Sequence, residues 1–148
     1  MFVTMKKIAL ATILTSLTIS TTVAQAGEAG TLTVNLKDVQ PGGGPLYVSV
    51  QKREDFMQDR GTSGGIYKEV KGGDTTYIYS DVPAGEYSIM IWHDLDNDDE
   101  FTMSEQYFPL DGWGMSGPSI NRMPTFDDAK TSIGSSGTEI TITMQYPE

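Results

Sequence analysis

The 148-residue sequence has no cysteine, so neither a disulfide framework nor a thiolate metal site is available to it. Its single histidine, His93, leaves too few nitrogen ligands for a transition-metal centre. Basic residues are scarce: 10 Lys and Arg stand against 20 Asp and Glu, a formal net charge of −10. Such a chain repels nucleic acid and anionic lipid, so neither is an expected partner. Long apolar runs are missing too. The stretch 8–19 is diluted by Thr and Ser and is too short to span a membrane, and no later run reaches that length. No amphipathic helical pattern of any length occurs, which excludes a helix bundle.

The short apolar stretch has a different use. Lys6 and Lys7 precede it, and Ala24-Gln25-Ala26 follows with small residues at both positions that a signal peptidase reads. Residues 1–26 therefore read as a cleaved secretory signal peptide, and 27–148 as one domain acting in the periplasm or outside the cell. The absence of cysteine after the signal argues against a lipoprotein anchor. A mature chain of this size builds a single core and buries about two-thirds of its unfolded surface.

What the chain has is strand pattern. Thr31 to Lys37 and Leu46 to Gln51 alternate apolar and polar residues, and the Pro41-Gly42-Gly43-Gly44-Pro45 turn between them makes a hairpin plausible. Residues 52–65 read as a long loop with at most one helical turn. Ile66 to Val70 is a short edge-strand candidate, and Thr75 to Tyr79 is rich in β-branched and aromatic residues. Glu86 to Trp92 is apolar on both faces, as a covered central strand should be. Residues 94–135 read as an unusually long ordered loop region. Thr138 to Tyr146 closes the chain with Ile140, Ile142, Met144 and Tyr146 on one face. The expectation is an all-β, antiparallel β-sandwich of about seven strands.

The central strand runs into Asp94. Counting Asp94 as position 1, carboxylates follow at 1, 3, 5, 7 and 12, with Phe101 at 8. That is close to the spacing by which one short loop wraps Ca²⁺. Asp94, Asp96 and Asp98 would each offer one carboxylate oxygen, Glu100 its backbone carbonyl, and Glu105 a bidentate carboxylate. Phe101 would anchor the loop to the core. Nothing after Glu105 reads as a helix that would return it to the ion, so Asp111, Asp127 or Asp128 are alternative closing ligands. Magnesium fits less well, since it prefers fewer protein ligands and more water.

Four segments in order carry a resemblance: Pro83-Ala84-Gly85-Glu86-Tyr87, His93-Asp94-x-Asp96-x-Asp98, 109–116 (PLDGWGMS) and Pro124-x-Phe126-Asp127-Asp128-Ala129. In these the chain resembles the small exported bacterial proteins grouped as domain of unknown function 2141, over essentially the whole mature length. The resemblance implies an immunoglobulin-like or transthyretin-like sandwich and assigns no activity. Two positions depart from the family pattern: Asp99 stands where the sixth loop position usually has Gly, and Thr102 where an acid is usual.

These readings combine into an exported β-sandwich with a structural calcium loop, acting in binding or scaffolding toward a carbohydrate or another exported protein. Trp113, Tyr107 and His93 are the candidate ligand-binding residues. One alternative is a calcium-dependent carbohydrate-binding module in which aromatic rings stack on sugar faces. Another is a hydrolase using the acidic loop, which would need two carboxylates facing each other across a cleft. A His93 dyad lacks an identifiable nucleophile.

Overall fold

The computed structural model describes residues 28–58, 61–120 and 122–148; the expected signal peptide lies outside them. Alternation in the sequence becomes alternation in burial. In β1 (Ala29–Val39), Leu32, Val34 and Leu36 point inward and are fully buried, while Thr33 and Asn35 face outward. In β2 (Leu46–Gln51), Leu46, Val48 and Val50 do the same. The remaining elements are β3 (Ser63–Tyr67), β4 (Gly73–Pro83), β5 (Gly85–His93), β6 (Gly112–Met115), the four-residue helix α1 (Phe126–Ala129), β7 (Thr131–Ile133) and β8 (Thr138–Thr143). A single 3-10 turn, Arg53–Asp55, supplies the expected helical turn after β2.

The strands form two sheets, ordered β4-β1-β8 and β3-β2-β5-β6, with β7 pairing onto the first residues of β5. The architecture is an all-β sandwich. All pairings between these strands are antiparallel except β1 with β8, which is parallel. The core lies between the sheets, with Leu32, Val34, Leu36 and Ile142 on one side and Val48, Val50, Ile89 and Ile91 on the other. Each such side chain contributes about 1.5–3 kcal/mol through burial. A single residue, Ala84, separates β4 in one sheet from β5 in the other. That corner is fixed from inside by Tyr87, whose hydroxyl donates to the carbonyl of Pro83 at 2.9 Å.

Three expectations need correction. β1 and β2 do not form a hairpin: the Pro-Gly-rich turn carries the chain from one sheet to the other, so their apolar faces meet across the core. The edge strand sits at 63–67 rather than 66–70, because Gly64 and Gly65 pair with Ser49 and Val48. A Cβ on Gly64 would lie 2.0 Å from the carbonyl oxygen of Val48, so glycine is what allows pairing there. The third concerns 94–135, which is not loop throughout but contains β6, α1 and β7.

β6 escaped the periodicity reading because its inward members are glycines. Gly112 and Gly114 are buried while Trp113 and Met115 face outward, so the alternation exists without apolar residues to mark it. The reason is the tail of the chain. Past β8, Met144 N–H donates to Lys37 and Gln145 exchanges two backbone hydrogen bonds with Trp113, joining the two sheets. A Cβ on Gly112 would lie 2.3 Å from the Tyr146 ring, and one on Gly114 2.8 Å from Ile142. Glycine lets the tail lie directly on β6.

The end of the family-like pattern is organised around Ser116 and α1. The Ser116 hydroxyl accepts from Ile89 N–H and donates to the carbonyl of Ala129. Phe126 is buried, edge-on to Phe56 and beneath the Arg53 guanidinium at 4.5 Å. Asp128 accepts from Thr125 N–H and Oγ1–H and is gripped in bidentate fashion by Arg122. Those partners, the Arg122 guanidinium foremost, hold its carboxyl well below the usual carboxylate range.

Two outcomes follow. Gly112→Ala forces ring and strand apart and should lower stability by about 1–3 kcal/mol in denaturant unfolding. Asp128 has a depressed folded pKa, so its stabilisation is present above the unfolded value and is lost as pH falls through the folded one. Melting of Asp128→Asn should therefore lie below wild type at neutral pH, and the gap should narrow in acid.

Candidate metal centre

β5 ends at His93, and the loop begins on a residue held through both its backbone and its side chain. Asp94 is fully buried; its N–H donates to Pro45 and its carbonyl accepts from Gly44 N–H at 2.6 Å. A Cβ on Gly44 would meet Asn97 and the Asp94 carbonyl oxygen at under 3 Å, so the Gly-rich turn is packed beneath the acidic loop. His93 is also buried. Its Nε2 lies 2.8 Å from the carbonyl of Gly42, so that nitrogen carries the proton, and its Nδ1 accepts from the Tyr146 hydroxyl at 3.0 Å. The imidazole thus ties the turn to the tail and has no face toward solvent.

The Asp94 side chain then folds the loop around itself. Oδ1 accepts from Asn97 N–H (2.7 Å) and Asp98 N–H (3.2 Å), and Oδ2 accepts from Asp99 N–H (3.1 Å). Converging three amides on one carboxylate requires left-handed backbone, found at Asn97 (φ 60°) and Asp99 (φ 61°). Asn and Asp tolerate that region better than other residues with a Cβ. Asp99 thereby adopts the conformation for which related loops use glycine.

Asp111 closes the loop from the other end. It is 3% exposed and sits immediately before β6, with Oδ1 accepting from Leu95 N–H (3.0 Å) and Oδ2 from Thr102 N–H (3.1 Å). Among the described residues, Asp94, Asp96 and Asp111 each place a carboxylate oxygen within 4.8 Å of the other two. Asp96 is exposed, and its pKa is raised by desolvation and then by the charges of Asp98, Asp111 and Asp94.

Of the residues expected at the centre, Asp94 and Asp96 stand in this group, and Asp111 stands where a closing ligand was sought. The exposed carboxylates of Asp98 and Glu105 are not members, and Glu100, expected through its backbone carbonyl, is likewise exposed. The Asp98 carboxylate accepts from Glu100 N–H at 2.8 Å. Glu105 goes elsewhere because no helix follows it. Residues 102–110 instead double back as a short ribbon, with Leu110 N–H on Thr102, Ser104 N–H on Phe108, and a turn at Tyr107 with φ 63°. Glu105 lies at its tip. Asp127 and Asp128 serve α1, where Asp127 pairs with Arg53 and Lys130.

The aromatics occupy the outer face of the larger sheet. Tyr47, Trp92 and Trp113 lie in register across β2, β5 and β6, and Tyr47 stacks on Trp92 with centroids 4.3 Å apart. Phe101 meets Trp92 edge-on at 6.2 Å and stays 45% exposed, so it rests on this outer face and not in the core. The Tyr47 hydroxyl donates to Asp99 at 2.7 Å, and that bond foremost, with burial and the charges of Asp99 and Asp94, raises its pKa to about 12. Tyr47 is a tether of the loop that spacing alone does not reveal, being 52 residues away from its partner. Trp113 is half-buried, whereas Tyr107 is 79% exposed.

The arrangement presents only oxygen donors, two of them on buried, pre-oriented carboxylates. Asp94 has about one lone-pair direction left after its three amides, and Asp111 about two. Holding a hard cation fits this; proton transfer across a cleft does not.

A family model described as an uncharacterized protein conserved in bacteria, DUF2141, matches residues 34–141. Neither a curated protein nor a solved structure matches the chain. With the matched stretch spanning both sheets, the acidic loop and α1, the chain belongs to the DUF2141 family.

Proposed function

We propose that residues 94–111 form a structural Ca²⁺ site on an exported β-sandwich that works by binding or scaffolding. The observation that carries this is the convergence of Asp94, Asp96 and Asp111 within 4.8 Å. Two oxygens at about 2.4 Å from one Ca²⁺ lie at most about 4.8 Å apart, a limit that the three carboxylates meet. Backbone carbonyls and water would complete the six to eight oxygens that Ca²⁺ takes. The ion would offset the mutual repulsion that, after desolvation, raises the pKa of Asp96. Export is supported by the basic, apolar and small-residue order of 1–26, and the lack of cysteine is compatible with it.

The carbohydrate-binding alternative draws support from Tyr107, whose ring is open to solvent beside the acidic loop. Trp113 supports it less, being half-buried in register with Trp92. The hydrolase reading finds its carboxylates gathered on one loop, two of them already engaged by backbone amides.

Thermal melts in excess Ca²⁺ and in chelator test the site. At a hundred times Kd, the ion should add about 2.7 kcal/mol to wild-type stability. Asp96→Asn with Asp111→Asn should remove that increment, and coincident wild-type melts would sink the proposal. Asp94→Ala should behave differently. By stranding three amides it should cost about 1–3 kcal/mol even in chelator, because that carboxylate organises the loop with or without an ion.

A further inference from the structure

Charge and exposure along the ribbon point to a partner of particular chemistry. Residues 94–111 contain seven acids and no lysine or arginine. The ion pairs among the described residues engage Asp74, Glu86, Asp127 and Asp128, and none reaches those seven. Within this field the ribbon displays its apolar side chains. Phe108 is 70% exposed, Tyr107 is more exposed still, and Met103 and Leu110 are also open. Neither Tyr107 nor Phe108 stacks on another ring among the described residues. Exposed apolar side chains grouped on one projection and rimmed by charge are characteristic of interaction surfaces.

The ribbon is also held in shape before any partner arrives. Its base is closed by Asp111 on Thr102 N–H and by Leu110 N–H on the Thr102 carbonyl. Its tip is closed by the Ser104 hydroxyl, which accepts from Phe108 N–H at 3.0 Å. Presenting aromatic side chains on a preformed backbone reduces the ordering cost of association.

We propose that the ribbon 102–110 docks a basic segment of another protein, one carrying Lys or Arg around an aliphatic or aromatic centre. The cations would meet Asp98, Asp99, Glu100 and Glu105, and would lie over the faces of Tyr107 and Phe108 as cation–π partners. Charge complementarity selects this occupant. Anionic lipid is repelled by the same acids. A second copy would bring an identical acidic ribbon against this one. A neutral surface would gain nothing from the acids. The inference gives the partner chemistry for the binding role proposed above and rests on that role, but it does not require the ion: bound Ca²⁺ would cancel two of the seven negative charges.

The test uses the mature chain and three probes: a fluorescent peptide alternating lysine with leucine, the same peptide with glutamate for lysine, and phosphatidylcholine vesicles. Anisotropy at physiological salt should show binding of the lysine peptide alone. Tyr107→Ser with Phe108→Ser should weaken it about tenfold or more with the melting curve unchanged. Glu100→Gln with Glu105→Gln should weaken it too, while Glu139→Gln, on the other sheet, should not. Equal binding by the serine variant would show bulk charge attraction only and overturn the proposal. Preference for vesicles, or self-association that the serine variant abolishes, would overturn it in favour of lipid or of a second copy. Each of these is read separately from the calcium melts, so failure here leaves the metal reading standing.

Discussion

A buried carboxylate bonded to three backbone amides is the constraint on which this molecule's distinctive half depends. Asp94 is delivered by the last pairing of β5, held by Pro45 and Gly44 through its backbone, and engaged by Asn97, Asp98 and Asp99 through its side chain. A polar group is costly to bury unless it is hydrogen-bonded, and here three backbone amides meet the carboxylate. The consequence is geometric. Once those three amides converge, Asp96 is thrown outward beside Asp111, and Tyr47 finds Asp99 within hydrogen-bonding distance.

The second organising feature is close backbone approach. Gly44 lies under Asn97, Gly112 under Tyr146, Gly114 against Ile142, and Gly117 against the carbonyl of Asp128. At each, a Cβ would come nearer than 3 Å to a neighbour. Glycine is destabilising inside a strand on entropic grounds, so its place in β6 reflects what lies against it. The DGWGMSG run (111–117) can be read position by position in these terms. Asp111 closes the loop, the glycines admit the tail and α1, Trp113 extends the outer aromatic row, and Ser116 joins β5 to α1.

Together these features divide the molecule into a conventional sandwich and one chemically unusual corner. Elsewhere on the described surface Asp74, Glu86, Asp127 and Asp128 are paired with cations, while acids in no ion pair, such as Glu69 and Asp81, are spread along the chain. At the loop they are gathered, left without basic partners among the described residues, and placed beside exposed rings. A cation at the base of the loop and a basic partner at its tip are complementary ways of meeting that field. The first would act on the carboxylates that are fixed, the second on those that are free to solvent.

The all-β class, the inward faces of β1, β2 and β8 and the family-bearing motifs were legible in the sequence, because period-two alternation and local turn chemistry are encoded over a few residues. Asp94 and Asp96 stood out for the same reason, as neighbours on one short segment. The sheet to which each strand belongs was not legible. β1 and β2 look like a hairpin until the core faces of both must be buried against each other, and β6 has no apolar inward residue to reveal it. Nor could spacing choose the third carboxylate. Whether the Glu105 or the Asp111 carboxylate lies near Asp94 and Asp96 depends on whether the chain after 102 continues as a helix or doubles back, and Asp111 on Thr102 together with the ribbon's own hydrogen bonds turns it back. Local pattern determined which residues were available; long-range contact decided which of them meet.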